Sequence, residues 1–92
     1  MIVRILGEGQ LIVDDSVATE LNKLDAALEA AVNAGDEAAF RPALTALLDR
    51  IRSEGTPVPA DSLDASDVIL PYADASMADV RGLLSDEGLI PG

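Results

Sequence analysis

Residues 1–15 read MIVRILGEGQLIVDD. Two aliphatic runs, Ile2 to Leu6 and Leu11 to Val13, flank Gly7, Glu8 and Gly9. Branched residues suit a pleated, half-buried backbone, and glycines suit the positive φ that a tight reversal demands. The stretch therefore predicts a β-hairpin. Ile2, Arg4 and Leu6 fall on one face and Val3 and Ile5 on the other, so both faces carry apolar groups. Two strands alone are marginal in water, so one face has to pack on something and the sheet needs a further strand.

The next forty residues supply the packing. Asp14, Asp15 and Ser16 form an N-cap, after which Val17, Leu21, Leu24, Leu28 and Ala31 recur at spacings of four and three, the seam of a helix. Gly35 suits its left-handed C-cap. Asp36 caps a second helix with the seam Phe40, Leu44, Leu47 and Ile51, ending near Gly55, with Arg50 and Arg52 set favourably against the macrodipole. So short a connection makes the two helices an antiparallel α-hairpin. Pro42, several residues into the second helix, predicts a kink or a restart there.

Residues 56–67, TPVPADSLDASD, read as an exposed acidic linker. Val68, Ile69 and Leu70, stopped by Pro71, predict a strand at the sheet edge. Ser76 and Asp79 form a capping box ahead of Met77, Val80, Leu83 and Leu84, a short third helix ending before Gly88. The apolar close GLIPG is expected to fold back onto the domain. The expected fold is α+β in a single domain over 1–92: a β-hairpin (1–15), extended to a three-stranded antiparallel sheet if Val68 to Leu70 join it, packed on an α-hairpin (16–55), then the linker (56–67) and a strand, short helix and tail (68–92). Arg4, mid-strand among aliphatics, reads as an edge residue that discourages strand addition.

Composition narrows the function. Seventeen acids against six bases give a net charge of -11, which opposes nucleic acid and anionic lipid and favours a basic partner surface. Residues 53–92 hold eight acids and only Arg81. With neither histidine nor cysteine, thiol and triad chemistry are excluded, leaving carboxylates as the acids, bases or metal ligands. No run reaches the roughly 18 apolar residues of a membrane span, and no basic, cleavable leader opens the chain. A cytoplasmic protein without direct membrane insertion is expected.

The local motifs add no chemistry. GEGQ lacks the third glycine of a dinucleotide fingerprint and joins two strands. Asp61, Asp64 and Asp67 lack the spacing and glycine of a calcium loop and read as a solvated acidic stretch. No catalytic residue, metal site or cofactor is expected. The outer helix faces are more informative. Thr19, Asn22, Ala26, Ala30 and Asn33 on the first helix, with Ala38, Thr45, Ala46 and Asp49 on the second, point away from the seams at about 100° per residue. These faces are small and weakly polar. The candidate docking surface is Thr19, Asn22, Ala26, Ala30, Asn33, Ala46 and Asp49; the alternative is the acidic arm, Asp61, Asp64, Asp67 and Asp74.

MIVRILGEGQ at the start, LNKLDAALEAAVNAGDEAAFRPALTALLDRI in the middle and DVILP with GLIPG at the end together resemble the PspA-associated family, PspAA, of actinobacteria and archaea. The opening decapeptide and the closing GLIPG are its distinctive parts. The resemblance implies a partner rather than a reaction: a PspA-like coiled-coil protein of the membrane-stress, phage-shock response, to which a non-catalytic adaptor or regulator would bind, recruited through it to the inner face of the membrane. Self-association is open. Two other classes are weighed against it: a generic helical peptide-binding module, suggested by AGDEAAF, for which no repeat near 34 residues is visible, and a small carboxylate-based ligand-binding domain.

Overall fold

The computed structural model describes residues 1–59, 65–84 and 89–90. The hairpin forms as expected: β1 (Ile2–Ile5) pairs antiparallel with β2 (Gly9–Ile12), Ile2 opposite Ile12 and Ile5 opposite Gly9. Gly7 and Gly9 both take positive φ in the turn, 84° and 106°. At Gly7 the requirement is double, because an added Cβ would also lie 2.9 Å from the Tyr72 ring.

The sheet is larger and differently connected than the sequence predicts. It is mixed and four-stranded, in the order β3-β2-β1-β4. Thr56–Pro57, inside the expected linker, form β3 against β2. Val68–Leu70 form β4 at the predicted edge, but parallel to β1, with Val3 opposite Val68 and Ile5 opposite Leu70. The bonds Asp67 N–H to Ile2 O (2.8 Å) and Leu6 N–H to Leu70 O (3.0 Å) extend that pairing. An antiparallel third strand is thus corrected to a parallel one, which makes β1 an inner strand. Arg4 is therefore not an edge residue. It stands exposed on the outer face and its Nε donates to Ser66 Oγ at 3.3 Å.

A 3-10 turn (Asp15–Val17), capped by Asp14 accepting the Ser16 N–H at 2.8 Å, leads into α1 (Ala18–Ala34). That bond holds the Asp14 carboxyl below its ordinary pKa. Gly35, at φ 66°, ends α1, and Asp36 caps α2 (Glu37–Glu54) by accepting the Ala39 N–H. Pro42 lies inside α2, yet the helix runs unbroken, so the expected restart is absent. A proline costs a helix interior about 3 kcal/mol. Here its ring is exposed, while Phe40 and Leu44 on either side are buried and hold the backbone in register.

The core lies between the inner sheet face and the α-hairpin. Val3, Ile5, Val68 and Leu70 meet Leu21, Leu28, Phe40, Leu44, Leu47, Leu48 and Ile51 in one buried cluster. At Gly55 the chain turns from α2 into β3 so closely that an added Cβ would fall 2.7 Å from Ile51 O and 2.9 Å from Leu11 Cβ. A capping box of Ser76 and Asp79 opens α3 (Met77–Leu83), as predicted, and Arg81 Nη2 donates to Val32 O at 2.9 Å, near the carbonyl end of α1. Leu89 and Ile90 are buried in the same cluster, so these two residues of the expected tail fold back, while Gly88, Pro91 and Gly92 lie outside the described residues.

One core residue breaks the apolar pattern. Asp25, on the inward side of α1, is 3% exposed. Its Oδ1 accepts the Leu89 N–H at 3.1 Å and its Oδ2 the Ile90 N–H at 2.9 Å. A carboxylate out of water is costly unless hydrogen-bonded, and charge-assisted bonds to backbone N–H are the strong kind.

Ile5→Ala should cost about 2–5 kcal/mol in chemical denaturation, whereas Ile12→Ala, on the outer face of the same hairpin, should cost under about 1 kcal/mol; equal losses would mean that the sheet faces are assigned wrongly. Asp25→Ala should cost about 2–5 kcal/mol, because it leaves two buried N–H donors unmatched, and a loss below about 0.5 kcal/mol would show that the tail is not held this way.

Candidate functional site

The Glu20–Arg50 ion pair (2.8 Å) fixes which sides of the two helices adjoin. On α1, Ala27, Ala30 and Ala34 lie round the same side as Glu20; on α2, Ala39, Ala46 and Ser53 lie round the same side as Arg50. All six are exposed. The structure therefore builds a ridge of small side chains along the outside of the α-hairpin. Of the residues the sequence singles out, Ala30 and Ala46 belong to it, whereas Ala27, Ala34 and Ala39 join it unanticipated. Their signal is the register between antiparallel helices, which the wheel of each helix taken alone does not contain.

The rest of the expected surface divides between this side and its neighbours. Thr19, Ala26 and Asn33 are exposed and Asn22 is half-buried. Thr19 and Ala26 lie next to Ala30 at about 100° per residue and continue the ridge on α1, whereas Asn33 and Asn22 lie further round, towards the side of Asp25. Asp49 bonds to Arg52 Nη1 at 2.7 Å, and Arg52 in turn grips Glu8 in the hairpin turn, its Nε donating to Glu8 Oε1 at 2.8 Å. That hydrogen bond holds the Glu8 carboxyl below its ordinary pKa. Asp49 is thus the outer end of a brace between α2 and the turn.

Of the acidic arm, only Asp67 and Asp74 are described. Asp61 and Asp64 lie outside the described residues. Asp67 Oδ2 accepts the Ile2 N–H at 2.7 Å at the start of β4, while Asp74 is exposed in the turn beyond the end of that strand.

Two concavities adjoin the sheet. A polar cavity of about 450 Å³ is lined by Arg4, Glu8, Gln10, Arg52 and Val58, among others. Arg52 is paired with Glu8 and Asp49, and Arg4 donates a hydrogen bond to the neutral Ser66 hydroxyl. The second, of about 290 Å³, is an apolar cleft between the ends of β1 and β4 and α3, lined by Leu6, Pro71, Tyr72, Ala75, Asp79 and Leu83. Tyr72 and Leu83 are 53% and 41% exposed. Arg41 fixes the segment between β4 and α3, its two guanidinium nitrogens donating to Ala73 O at 2.8 Å and Ala75 O at 2.7 Å. The cleft is not legible in the sequence, because its walls come from three separate segments.

Among the described residues no group of three or more acidic, histidine or cysteine side chains could hold a metal ion, and no helix is long and apolar enough to cross a membrane. Neither the curated proteins nor the solved structures compared with this chain gave a match. The model of one family, described as PspA-Associated protein, matches residues 1–92, from the opening hairpin through both helices to the closing GLIPG. The chain belongs to the PspA-Associated protein family.

Proposed function

We propose that this protein is a non-catalytic adaptor that binds a PspA-type coiled-coil protein and regulates it in the envelope-stress, or phage-shock, response. The observation that carries the reading is the family match over the whole chain, since the family takes its name from association with PspA. The absence of histidine and cysteine from the sequence agrees with a role in binding rather than in nucleophilic chemistry. A net charge of -11 repels anionic lipid and attracts basic protein surfaces, so the protein works in the cytoplasm and reaches the membrane only through its partner.

The ridge on the α-hairpin is the docking surface we favour. Alanines let a second helix approach closely, and Lys23 and Ser53, both at the end where α1 begins and α2 finishes, are exposed in the free protein. The acidic arm is the weaker alternative, because the two described members lie at opposite ends of β4 and one of them is bonded to Ile2.

Ala30→Arg and Ala46→Arg should each weaken capture of the PspA-type partner by about a hundredfold while leaving the circular-dichroism spectrum unchanged, since arginine is a good helix former and a bulky charge at a packed interface is costly. Ala26→Arg, one turn before Ala30 on the same side of α1, should weaken capture as well. Unchanged binding by these ridge variants, combined with a steep loss on adding salt, would move the interface to the acidic residues.

A further inference from the structure

We infer that Leu89 and Ile90 form a latch that releases Asp25 as one unit while the sheet and the α-hairpin stay folded. The latch gives the chain a second surface state and does not depend on the adaptor reading.

The latch is built on a charge without a counter-ion. Among the described residues Asp25 is the one charged side chain that is buried, and no described ion pair includes it. The charged groups of α1 and α3 do not pair with it. Arg81 on α3 gives its Nη2 to Val32 O at 2.9 Å, Lys23 is exposed on the opposite side of α1, and Glu29, one turn beyond Asp25, adds a further negative charge. The Leu89 and Ile90 N–H groups, at 3.1 and 2.9 Å, are thus the only described donors to this carboxylate.

That arrangement makes closure a balance of large opposing effects. Closing gains two charge-assisted bonds and buries two aliphatic side chains, but it strips water from a carboxylate. Opening returns that water, so the latch yields more readily than an apolar contact of equal area. Both bonds end on one carboxylate, and losing either leaves the other to solvate the charge alone, so the two open together. The two layers of the fold do not have to open with them. The pairings of β1 with β2 and β4 and of β2 with β3 contain no tail residue, and α1 packs directly along α2. The closed form hides two aliphatic side chains and a carboxylate that the open form presents together, and the open fraction sets how far they are available to another molecule.

Amide exchange on the full chain, in denaturant below the unfolding transition, separates a latch from a fixed part of the core. We expect the Leu89 and Ile90 amides to share one opening that responds weakly to denaturant, because it exposes little surface, while Val3 and Ile5 exchange through an opening that responds steeply. Ile90→Ala should speed exchange at the Leu89 amide about a hundredfold, together with its own. Leu89→Asp, which sets a second carboxylate against Asp25, should hold the latch open. In that variant the Ile90 amide loses its protection, the circular-dichroism spectrum stays that of a folded helical protein, and Val3 and Ile5 remain protected. Three results would each overturn the proposal: the same steep response at all four amides, an effect of Ile90→Ala confined to its own amide, or a Leu89→Asp protein that is unfolded in the absence of denaturant.

Discussion

Two hydrogen bonds from the backbone of Leu89 and Ile90 to the buried carboxylate of Asp25 close this fold. They join positions 64 and 65 residues apart and place two apolar side chains in a core that is otherwise aliphatic and short of aromatic rings. A chain of 92 residues has little apolar area to spare. With the tail in place, the side of α1 that carries Asp25 and Val32 is covered. Arg81, bonded to Val32 on that side, then sets α3 where it forms one wall of the Tyr72 cleft. A carboxylate in this position also imposes geometry: an apolar residue could fill the space but would offer the two successive N–H groups no acceptor.

Elements governed by neighbouring residues are legible in the sequence. The seam Phe40, Leu44, Leu47 and Ile51 is buried throughout, and Gly35, Asp36, Ser76 and Asp79 act as the caps their side chains suit. The glycines at 7 and 9 mark the turn for the same reason. What escapes is whatever depends on distant partners. Thr56 and Pro57 carry no strand pattern; β2 recruits them because Gly55 brings the chain past Leu11. The direction of β4 is set by where the chain re-enters, Asp67 bonding to Ile2 from both backbone and side chain, and no property of the apolar triplet itself encodes it. Pro42 misleads because local propensity points against a helix that tertiary packing on both sides sustains. Asp25 does leave a trace, a charge one turn beyond Leu21 on the buried side, but reading it requires knowing which backbone will meet it.

The same division holds for the candidate sites. The small outward residues of each helix can be picked out one helix at a time, and Ala30 and Ala46 are among them. Which of them share a surface is decided by the Glu20–Arg50 pairing of the two helices. The acidic residues, prominent in composition, turn out to be spread over the fold, with Asp67 serving the sheet and Asp79 a helix cap. Acidity acts here as a background field that favours basic partners, while shape is supplied by the ridge and the cleft.

The closing interaction can be observed directly by amide hydrogen exchange on the full chain at neutral pH. If Asp25 holds the tail, the Leu89 and Ile90 amides exchange at least about a thousandfold more slowly than in an unstructured peptide, and that protection disappears in Asp25→Ala while the Val3 and Ile5 amides of the inner strand stay protected. Rapid exchange at Leu89 and Ile90 in the unaltered protein, or protection that survives the loss of the Asp25 carboxylate, would contradict the account.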